Sequence, residues 1–115
     1  MPADFAAEQV LSVATTVTSR EEADQLAREL VDRKLAACVQ VLGPITSAYR
    51  WQGEIQHSVE WQCVAKTDGH HWESLRSAIV ELHSYEEPEI IAVPIAAGSP
   101  SYLEWVRCEL RSDGD

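Results

Sequence analysis

The chain has 115 residues, of which 45% are hydrophobic and 24% charged, and 19 acidic against 9 basic side chains give it a net charge of -10. A chain of this length predicts one domain, spanning 1–115 with loose ends at 1–7 and 112–115. The acidic balance argues against nucleic acid as a partner, no apolar run reaches the roughly 20 residues of a membrane span, and the acidic N-terminus does not resemble a secretory signal, so we expect a cytoplasmic protein.

The first predicted elements are a strand and a helix. Residues 9–17 (QVLSVATTV) are rich in β-branched and small apolar side chains, as a central strand is. Ser19 followed by Glu22 has the spacing of a capping box, in which each side chain bonds the other residue's backbone N–H. Apolar residues then recur every three or four positions, and together these signals predict a helix over 20–35.

Two long strands are predicted next. Residues 38–51 have the character of a strand, with a break or bulge at Gly43 and Pro44. A two-residue turn follows, and residues 54–67 return as a third strand in which alternate apolar side chains share one face. The pair forms a hairpin that is longer than a domain of this size usually needs.

A second helix and a fourth strand follow the hairpin. Thr67 or Asp68 can cap this helix, and its apolar stripe keeps helical spacing up to His83. Pro88 restricts the residue before it to extended backbone, so the helix cannot continue through it. Residues 89–95 then predict a buried strand.

Ser99 followed by Pro100 predicts a short C-terminal helix. The order β-α-β-β-α-β with this added helix predicts an α+β fold, the ferredoxin-like sandwich of a four-stranded antiparallel sheet with two helices on one face. The other face of the sheet would be bare. Because Tyr49, Trp51 and Trp61 lie on the long hairpin, we expect another subunit to cover that face.

Cys38 and His83 are the candidate metal ligands, because a thiolate and an imidazole suit copper, zinc and similar ions. An alternative remains open for each residue. A cysteine at a strand start is often a small core residue, and a histidine in the last turn of a helix often serves that helix end. Three widely spaced cysteines without a CxxC pair predict neither a disulfide framework nor a zinc knuckle.

Polar side chains near the second helix and the third strand could converge in one pocket: Glu60, Lys66, Tyr85, Glu87 and Glu89. Their roles as acid and base depend on separation and environment, so we favour the alternative of an ion-pair network between subunits. The sequence has no GxSxG, P-loop, GxGxxG or HExxH motif. We therefore expect neither an enzyme nor an organic cofactor.

Four runs of the sequence resemble the CutA family of divalent-cation tolerance proteins. They are KLAACVQVLGPITSAYRWQGEI (34–55), AKT (65–67), ELHSYEEPEIIAVPI (81–95) and SYLEWV (101–106). The resemblance extends over about 10–110, in order and with the family's spacing.

This resemblance implies a ferredoxin-like protomer in a tight homotrimer, similar in architecture to the PII signalling proteins. It also implies a link to tolerance of copper and other divalent ions, no established enzymatic reaction, and metal-associated positions at Cys38 and His83. Two departures weaken the carry-over. Thr15 stands where some bacterial relatives have a cysteine, and Ser84 replaces the proline of the family's usual HPYE.

The leading hypothesis is a non-enzymatic trimer that weakly binds a divalent metal ion such as copper, or senses a small ligand, in clefts between subunits. The side chains expected to line these clefts are Cys38, Tyr49, Trp51, Glu60, Lys66, His83, Tyr85 and Glu89. A second hypothesis is a structural, adaptor or PII-like signalling trimer that acts through protein partners. A third, a small hydrolase, rests on the fold alone.

Overall fold

The computed structural model describes residues 4–111 and confirms the predicted α+β fold. Its elements are β1 Val10–Val17, α1 Arg20–Asp32, β2 Cys38–Trp51, β3 Glu54–Asp68, α2 Trp72–Leu82, β4 Ile91–Pro94 and α3 Pro100–Leu110. The four strands form one antiparallel sheet in the order β2-β3-β1-β4, which is the ferredoxin-like arrangement. No helix among the described residues is long and apolar enough to cross a membrane.

The main core lies between the sheet and the helices α1 and α2. Strand β1 is central, since it pairs with both β3 and β4. Its odd-numbered apolar residues pack against the two helices, in a cluster that includes Leu11, Val13, Val17, Leu26, Leu30, Cys63, Leu75 and Ile79. The alternation of side chains along a strand sends its other residues to the opposite face of the sheet.

That opposite face is covered in part, which corrects the prediction of a bare face. Helix α3 packs there against the start of β1, where Val10, Val106 and Leu110 are buried together. Among residues 4–111, no further helix covers the rest of this face. Its side chains are therefore available to another molecule.

Helix α1 ends earlier than predicted, at Asp32 instead of residue 35. Lys34 adopts the left-handed backbone conformation, with φ 57°. The Lys34 N–H bonds the Val31 carbonyl and the Leu35 N–H bonds the Leu30 carbonyl, each at 3.0 Å. This is the Schellman pattern, which closes a helix and turns the chain toward the next strand.

Helix α2 begins at Trp72, one residue after its cap position His71. Neither predicted cap is the helix cap itself. Asp68 instead stabilises the preceding turn, because its Oδ1 accepts the His71 N–H at 3.0 Å and lies 2.7 Å from His71 Nδ1. Phe5 packs edge-on against Trp72, with ring centroids 6.1 Å apart.

The predicted loose ends are described only in part. Residues 1–3 and 112–115 lie outside the described residues. Just after the described start, the chain is joined to the β3–α2 turn, because the His70 N–H donates to the Ala7 carbonyl at 3.1 Å and the Gly69 N–H donates to the Gln9 carbonyl at 2.9 Å.

The hairpin of β2 and β3 extends well past the rest of the sheet. The two strands pair from Cys38 opposite Lys66 to Trp51 opposite Glu54, whereas β1 reaches only as far as Trp61. Residues 45–60 therefore form a two-stranded ribbon. The ribbon gives the molecule a long axis of 49 Å and a radius of gyration of 14.9 Å, against about 13 Å for a compact domain of this size.

The predicted bulge lies where this ribbon leaves the sheet. The register of β2 against β3 shifts between Leu42 and Ile45, across Gly43 and Pro44. The Trp61 ring packs over this bend, so that a Cβ atom on Gly43 would lie 2.5 Å from Trp61 Cε3. Glycine is needed at the bend because the ring leaves no room for a side chain.

The fourth strand is shorter than predicted, spanning Ile91–Pro94 instead of 89–95. It is also less buried than predicted. Ala92 packs against the core, whereas Ile91 and Val93 point to the other face and are exposed. The reason is that this edge strand carries cover on one face only.

Candidate functional site

The ring of His83 is held by the backbone at both of its nitrogens. His83 follows the last residue of α2 and has extended backbone, with φ -79° and ψ 144°. Its Nε2 lies 2.8 Å from the Thr16 carbonyl oxygen, and its Nδ1 lies 3.0 Å from the Tyr85 backbone nitrogen. Because a carbonyl only accepts and a backbone N–H only donates, the ring is the neutral Nε2–H tautomer.

This arrangement limits what His83 can do as a ligand. A metal ion binds a ring nitrogen through its lone pair, and the lone pair of Nδ1 already accepts the Tyr85 N–H. A cation at Nδ1 would displace the bond from Tyr85. A cation at Nε2 would displace the bond to Thr16 and move the ring proton to Nδ1, which removes the bond from Tyr85 as well. In this geometry, His83 ties the end of α2 to the end of β1.

Tyr85 and Glu60 extend the group of bonded residues around His83. We call this group, Glu22, Glu60, His83 and Tyr85, the His83 cluster. Glu60 lies on β3 and is only 8% exposed. Its Oε2 accepts a hydrogen bond of 2.7 Å from the Tyr85 hydroxyl. Burial, the bond to Glu60 and the nearby carboxylates raise the pKa of Tyr85 above its usual value. The phenol therefore stays protonated and remains a donor at neutral pH.

Glu22 completes the cluster from the first turn of α1. Its Oε2 accepts the Ser84 N–H at 3.1 Å, and its Oε1 accepts both the N–H and the hydroxyl of Thr18 at 3.3 and 3.0 Å. Burial raises the pKa of Glu22, but the hydrogen bonds from Ser84 and Thr18 outweigh burial and lower the pKa below its usual value.

The sequence predicts Glu22 only as the capping-box partner of Ser19. One half of that box forms, since Ser19 Oγ accepts the Glu22 N–H at 3.1 Å. The carboxylate bonds Thr18 and Ser84 instead of the Ser19 N–H. The sequence does show that Glu22 is an acidic residue in the first turn of α1. When two helices pack antiparallel, such a residue can lie beside the last turn of the second helix.

Cys38 and His83 do not come together within one copy of the chain. Cys38 pairs with Lys66 on β3, whereas His83 bonds Thr16, whose partner on β3 is Gln62. The four residues from Lys66 to Gln62 correspond to about 13 Å along the strand, and β2 and β1 lie on opposite sides of β3, about 10 Å apart. Within residues 4–111, no group of three or more His, Cys, Asp or Glu side chains has the geometry to hold a metal ion.

Cys38 contacts α3 instead. Its Sγ lies 3.6 Å from the Tyr102 hydroxyl, and the Tyr102 ring stacks on Trp105 at a centroid distance of 5.7 Å. The hydrogen bond with Cys38, and burial after it, raise the pKa of Tyr102.

The remaining side chains of the predicted cleft make separate contacts in one copy. Lys66 donates to Gln40 Oε1 at 3.0 Å, and the Tyr49 hydroxyl lies 2.7 Å from Ser58 Oγ on the ribbon. Trp51 at the ribbon tip and Glu89 before β4 are exposed. Among the predicted residues, the structure thus joins Tyr85 to Glu60 and His83 to the Tyr85 backbone.

Thr15 lies inside the core and has an unusual environment. It is 1% exposed, and its hydroxyl is the one buried side-chain polar atom without a hydrogen-bond partner among residues 4–111. It sits opposite Cys63, whose pKa burial raises to about 11, with added effects from Asp24 and Glu22. A thiol with this pKa stays protonated at neutral pH and behaves as a small core side chain.

Comparison with known proteins shows that the sequence and the fold match the same family. Residues 11–109 match the family described as CutA1 divalent ion tolerance protein. The divalent-cation tolerance protein CutA of Thermus thermophilus is 44% identical over 95 residues, which cover 83% of this chain and 92% of that protein. The chloroplastic protein CutA of Arabidopsis thaliana is 40% identical over 100 residues, which cover 87% of this chain and 55% of that protein.

The chain is also similar in structure to solved members of this family. The chain superposes on the crystal structure of CutA from Xylella fastidiosa with a TM-score of 0.88 and 37% identity, covering 90% of this chain and 99% of that one. It superposes on CutA1 from Thermus thermophilus with a TM-score of 0.85 and 42% identity, covering 87% and 97% of the two chains.

Proposed function

Because the chain belongs to the CutA1 divalent ion tolerance family, we propose that it is a non-enzymatic homotrimer. Between its subunits it binds copper or another divalent cation, or a small ligand. Family membership supports the role in divalent-cation tolerance. The family is named for tolerance and not for a reaction, which agrees with a binding protein.

The observation that carries the assembly is the projecting ribbon of β2 and β3. Trp51 and Ile55 on it are 61% and 65% exposed, and Val59 is exposed as well. A two-stranded ribbon alone is marginally stable in water, and the open edge of β2 presents unpaired backbone groups. Copies of the chain arranged around a threefold axis would cover the apolar side chains and continue the sheet.

The proposed clefts would combine the hairpin of one copy with the β-sheet end of another. Cys38 supplies a thiol that is partly exposed, and Tyr49, Trp51 and Glu89 are exposed. His83 can take part only if the turn after α2 moves, because its nitrogens bond Thr16 and Tyr85 in the observed geometry. Cation binding at His83 is therefore coupled to a conformational change in residues 83–85.

Two measurements test this proposal. Light scattering after size-exclusion chromatography should give about three times the chain mass of 12.8 kDa. Calorimetric titration with copper(II) and with zinc should show heats that fall in Cys38→Ala and His83→Ala variants. A monomer would contradict the assembly, and heats that are unchanged in both variants would contradict the assigned ligands.

The full engagement of both His83 nitrogens favours a second candidate, an adaptor or PII-like signalling trimer that acts through protein partners. In that case His83 has a structural role. The copper tolerance of cells that depend on this protein then distinguishes the two candidate functions. Loss of tolerance with Trp51→Ala but not with Cys38→Ala or His83→Ala would favour the adaptor.

The proposed compartment is the cytoplasm. Relatives include proteins named chloroplastic, so fractionation of cells that express the full chain provides the direct test. Recovery with a cytoplasmic marker enzyme supports the proposal, and recovery in another fraction contradicts it.

A further inference from the structure

One carboxylate joins two segments that lie far apart in the sequence. Glu22 accepts three hydrogen bonds, two from Thr18 before α1 and one from the backbone of Ser84 after α2. The bond to Ser84 spans 62 positions. Ser84 lies between His83 and Tyr85, two residues of the cluster described above.

We propose that Glu22 is a positioning residue for His83, because its carboxylate fixes the turn through Ser84 and thereby sets the orientation and tautomer of the imidazole. The inference rests on the proposed function only in giving His83 a part in cation binding. The positioning itself is a property of the chain without any cation.

The peptide group between His83 and Ser84 transmits this effect. The group is planar, so a hydrogen bond that fixes the Ser84 nitrogen also fixes the His83 carbonyl and the direction of the chain leaving α2. The next residue, Tyr85, donates its N–H to His83 Nδ1 at 3.0 Å. That donor and the Thr16 carbonyl, which accepts from Nε2 at 2.8 Å, together hold the ring proton on Nε2.

A carboxylate suits this position better than an amide does. Both oxygens of Glu22 accept bonds, Oε1 from Thr18 and Oε2 from Ser84. Hydrogen bonds to an ionised acceptor are stronger than neutral ones. Glutamine has one oxygen, and its NH₂ group would face either Thr18 or the Ser84 N–H, which is also a donor.

A proline at position 84 provides a way to separate positioning from general helix stabilisation. Proline has no N–H and cannot bond Glu22, but its ring stiffens the same turn. His83 already has the extended backbone that a residue before proline prefers, with φ -79° and ψ 144°. Glu22 should therefore be required when residue 84 is serine and dispensable when it is proline.

The test uses the intact protein without added metal. Long-range ¹⁵N–¹H NMR reports the tautomer of His83, and hydrogen exchange reports protection of the Tyr85 amide. The variants are Glu22→Ala, Glu22→Gln, Ser84→Pro and the double variant Glu22→Ala with Ser84→Pro. Glu21→Ala is the matched control, since Glu21 is an exposed acid in the same helical turn.

We expect Glu22→Ala to speed exchange of the Tyr85 amide by roughly tenfold, as loss of a charge-assisted bond predicts, and to mix the two His83 tautomers. Glu22→Gln should give an intermediate effect. Glu21→Ala should resemble the wild type. The double variant should recover one tautomer and slow exchange, as Ser84→Pro alone does.

Wild-type tautomer and exchange in Glu22→Ala would overturn the proposal, and so would an equal effect of Glu21→Ala. Absence of rescue by Ser84→Pro would also overturn it. If the expected NMR changes occur but no variant alters the heats of copper(II) or zinc titration, the positioning role stands and the cation-binding role of His83 fails.

Discussion

The hydroxyl of Tyr85 donates a 2.7 Å hydrogen bond to the carboxylate of Glu60. Glu60 is largely buried, and a buried carboxylate that loses its donor is costly because the group is no longer solvated by water. This pair joins the turn after α2 to the ribbon strand β3. It is therefore both a stabilising contact and a link between two parts of the candidate site.

Tyr85→Phe removes the donor and keeps the ring. We expect a loss of about 1–3 kcal/mol in the free energy of unfolding, because Glu60 is left buried without this partner. Urea denaturation measures the loss. Tyr49→Phe is the matched control, since its hydroxyl bonds the neutral hydroxyl of Ser58 and its removal leaves no buried carboxylate without a donor, so it should cost less. Equal losses in the two variants would contradict the special role given to burial of Glu60.

Thr15→Val should stabilise the protein. The Thr15 hydroxyl is buried without a partner among the described residues, and replacing it by a methyl group of similar volume removes a desolvation cost of about 1–3 kcal/mol. Thr67→Val is the control with the opposite expected sign, because Thr67 Oγ1 donates to the Leu35 carbonyl at 2.7 Å. Thermal unfolding of both variants checks that Thr15→Val raises stability and that Thr67→Val lowers it. A destabilised Thr15→Val would contradict the first expectation.

The stabilising effect of Glu22 should depend on pH. Its pKa in the folded protein lies below the usual 4.5, so the folded state binds a proton less readily than the unfolded chain does. Its contribution is then fully present above about pH 4.5 and is lost as the pH falls through the folded pKa. The stability difference between wild type and Glu22→Gln should shrink as the pH falls below about 4.5.

Denaturation curves at several pH values measure this dependence. Glu21→Gln is the comparison variant, because it removes the same charge from the adjacent position. A difference for Glu22→Gln that stays constant across this range would show that the hydrogen bonds from Ser84 and Thr18 do not act through the charge of the carboxylate.

Gly43→Ala should destabilise the chain at the bend of β2. The added Cβ would approach Trp61 Cε3 to 2.5 Å, so the ring must move, and overpacking of this kind costs about 1–3 kcal/mol. The same ring lies 5.4 Å from the Arg20 guanidinium, so that contact should weaken as well. Chemical denaturation measures the cost.

Gly98→Ala is the control for a less restrictive site, since its Cβ would meet the flexible end of Leu103 at 3.1 Å. Replacing Trp61 by leucine should make Gly43→Ala nearly neutral. If Gly43→Ala is as harmful without the indole as with it, the backbone and not the ring requires glycine at this position.

The sequence predicts the elements of this fold because most of them have a local signature. The apolar spacing of α1, the cap at Ser19 and the two-residue turn between β2 and β3 each depend on residues only a few positions apart. The end of α1 differs from the prediction because Lys34, which is not a glycine, takes the left-handed position. The exposure of Ile91 differs from the prediction because burial on each face of the sheet depends on which helices cover it.

The candidate site was less predictable because its contacts join distant residues. The separation of Cys38 from His83 follows from the strand order, which places β2 and β1 on opposite sides of β3, and from the register of each strand pair. The bond from Ser84 to Glu22 depends on how α1 and α2 are placed relative to each other. Identifying His83 as important was possible from the sequence, whereas the use of both its nitrogens was not.

The ribbon of residues 45–60 also affects how stability should be measured. Its apolar side chains and the free edge of β2 gain cover only from another molecule, so the folded state of a chain that assembles through them becomes more stable as the protein concentration rises. A chain that finds no partner displays an edge onto which any extended segment can pair. The feature that favours assembly at high concentration is thus the site where dilute or partly assembled protein should begin to aggregate.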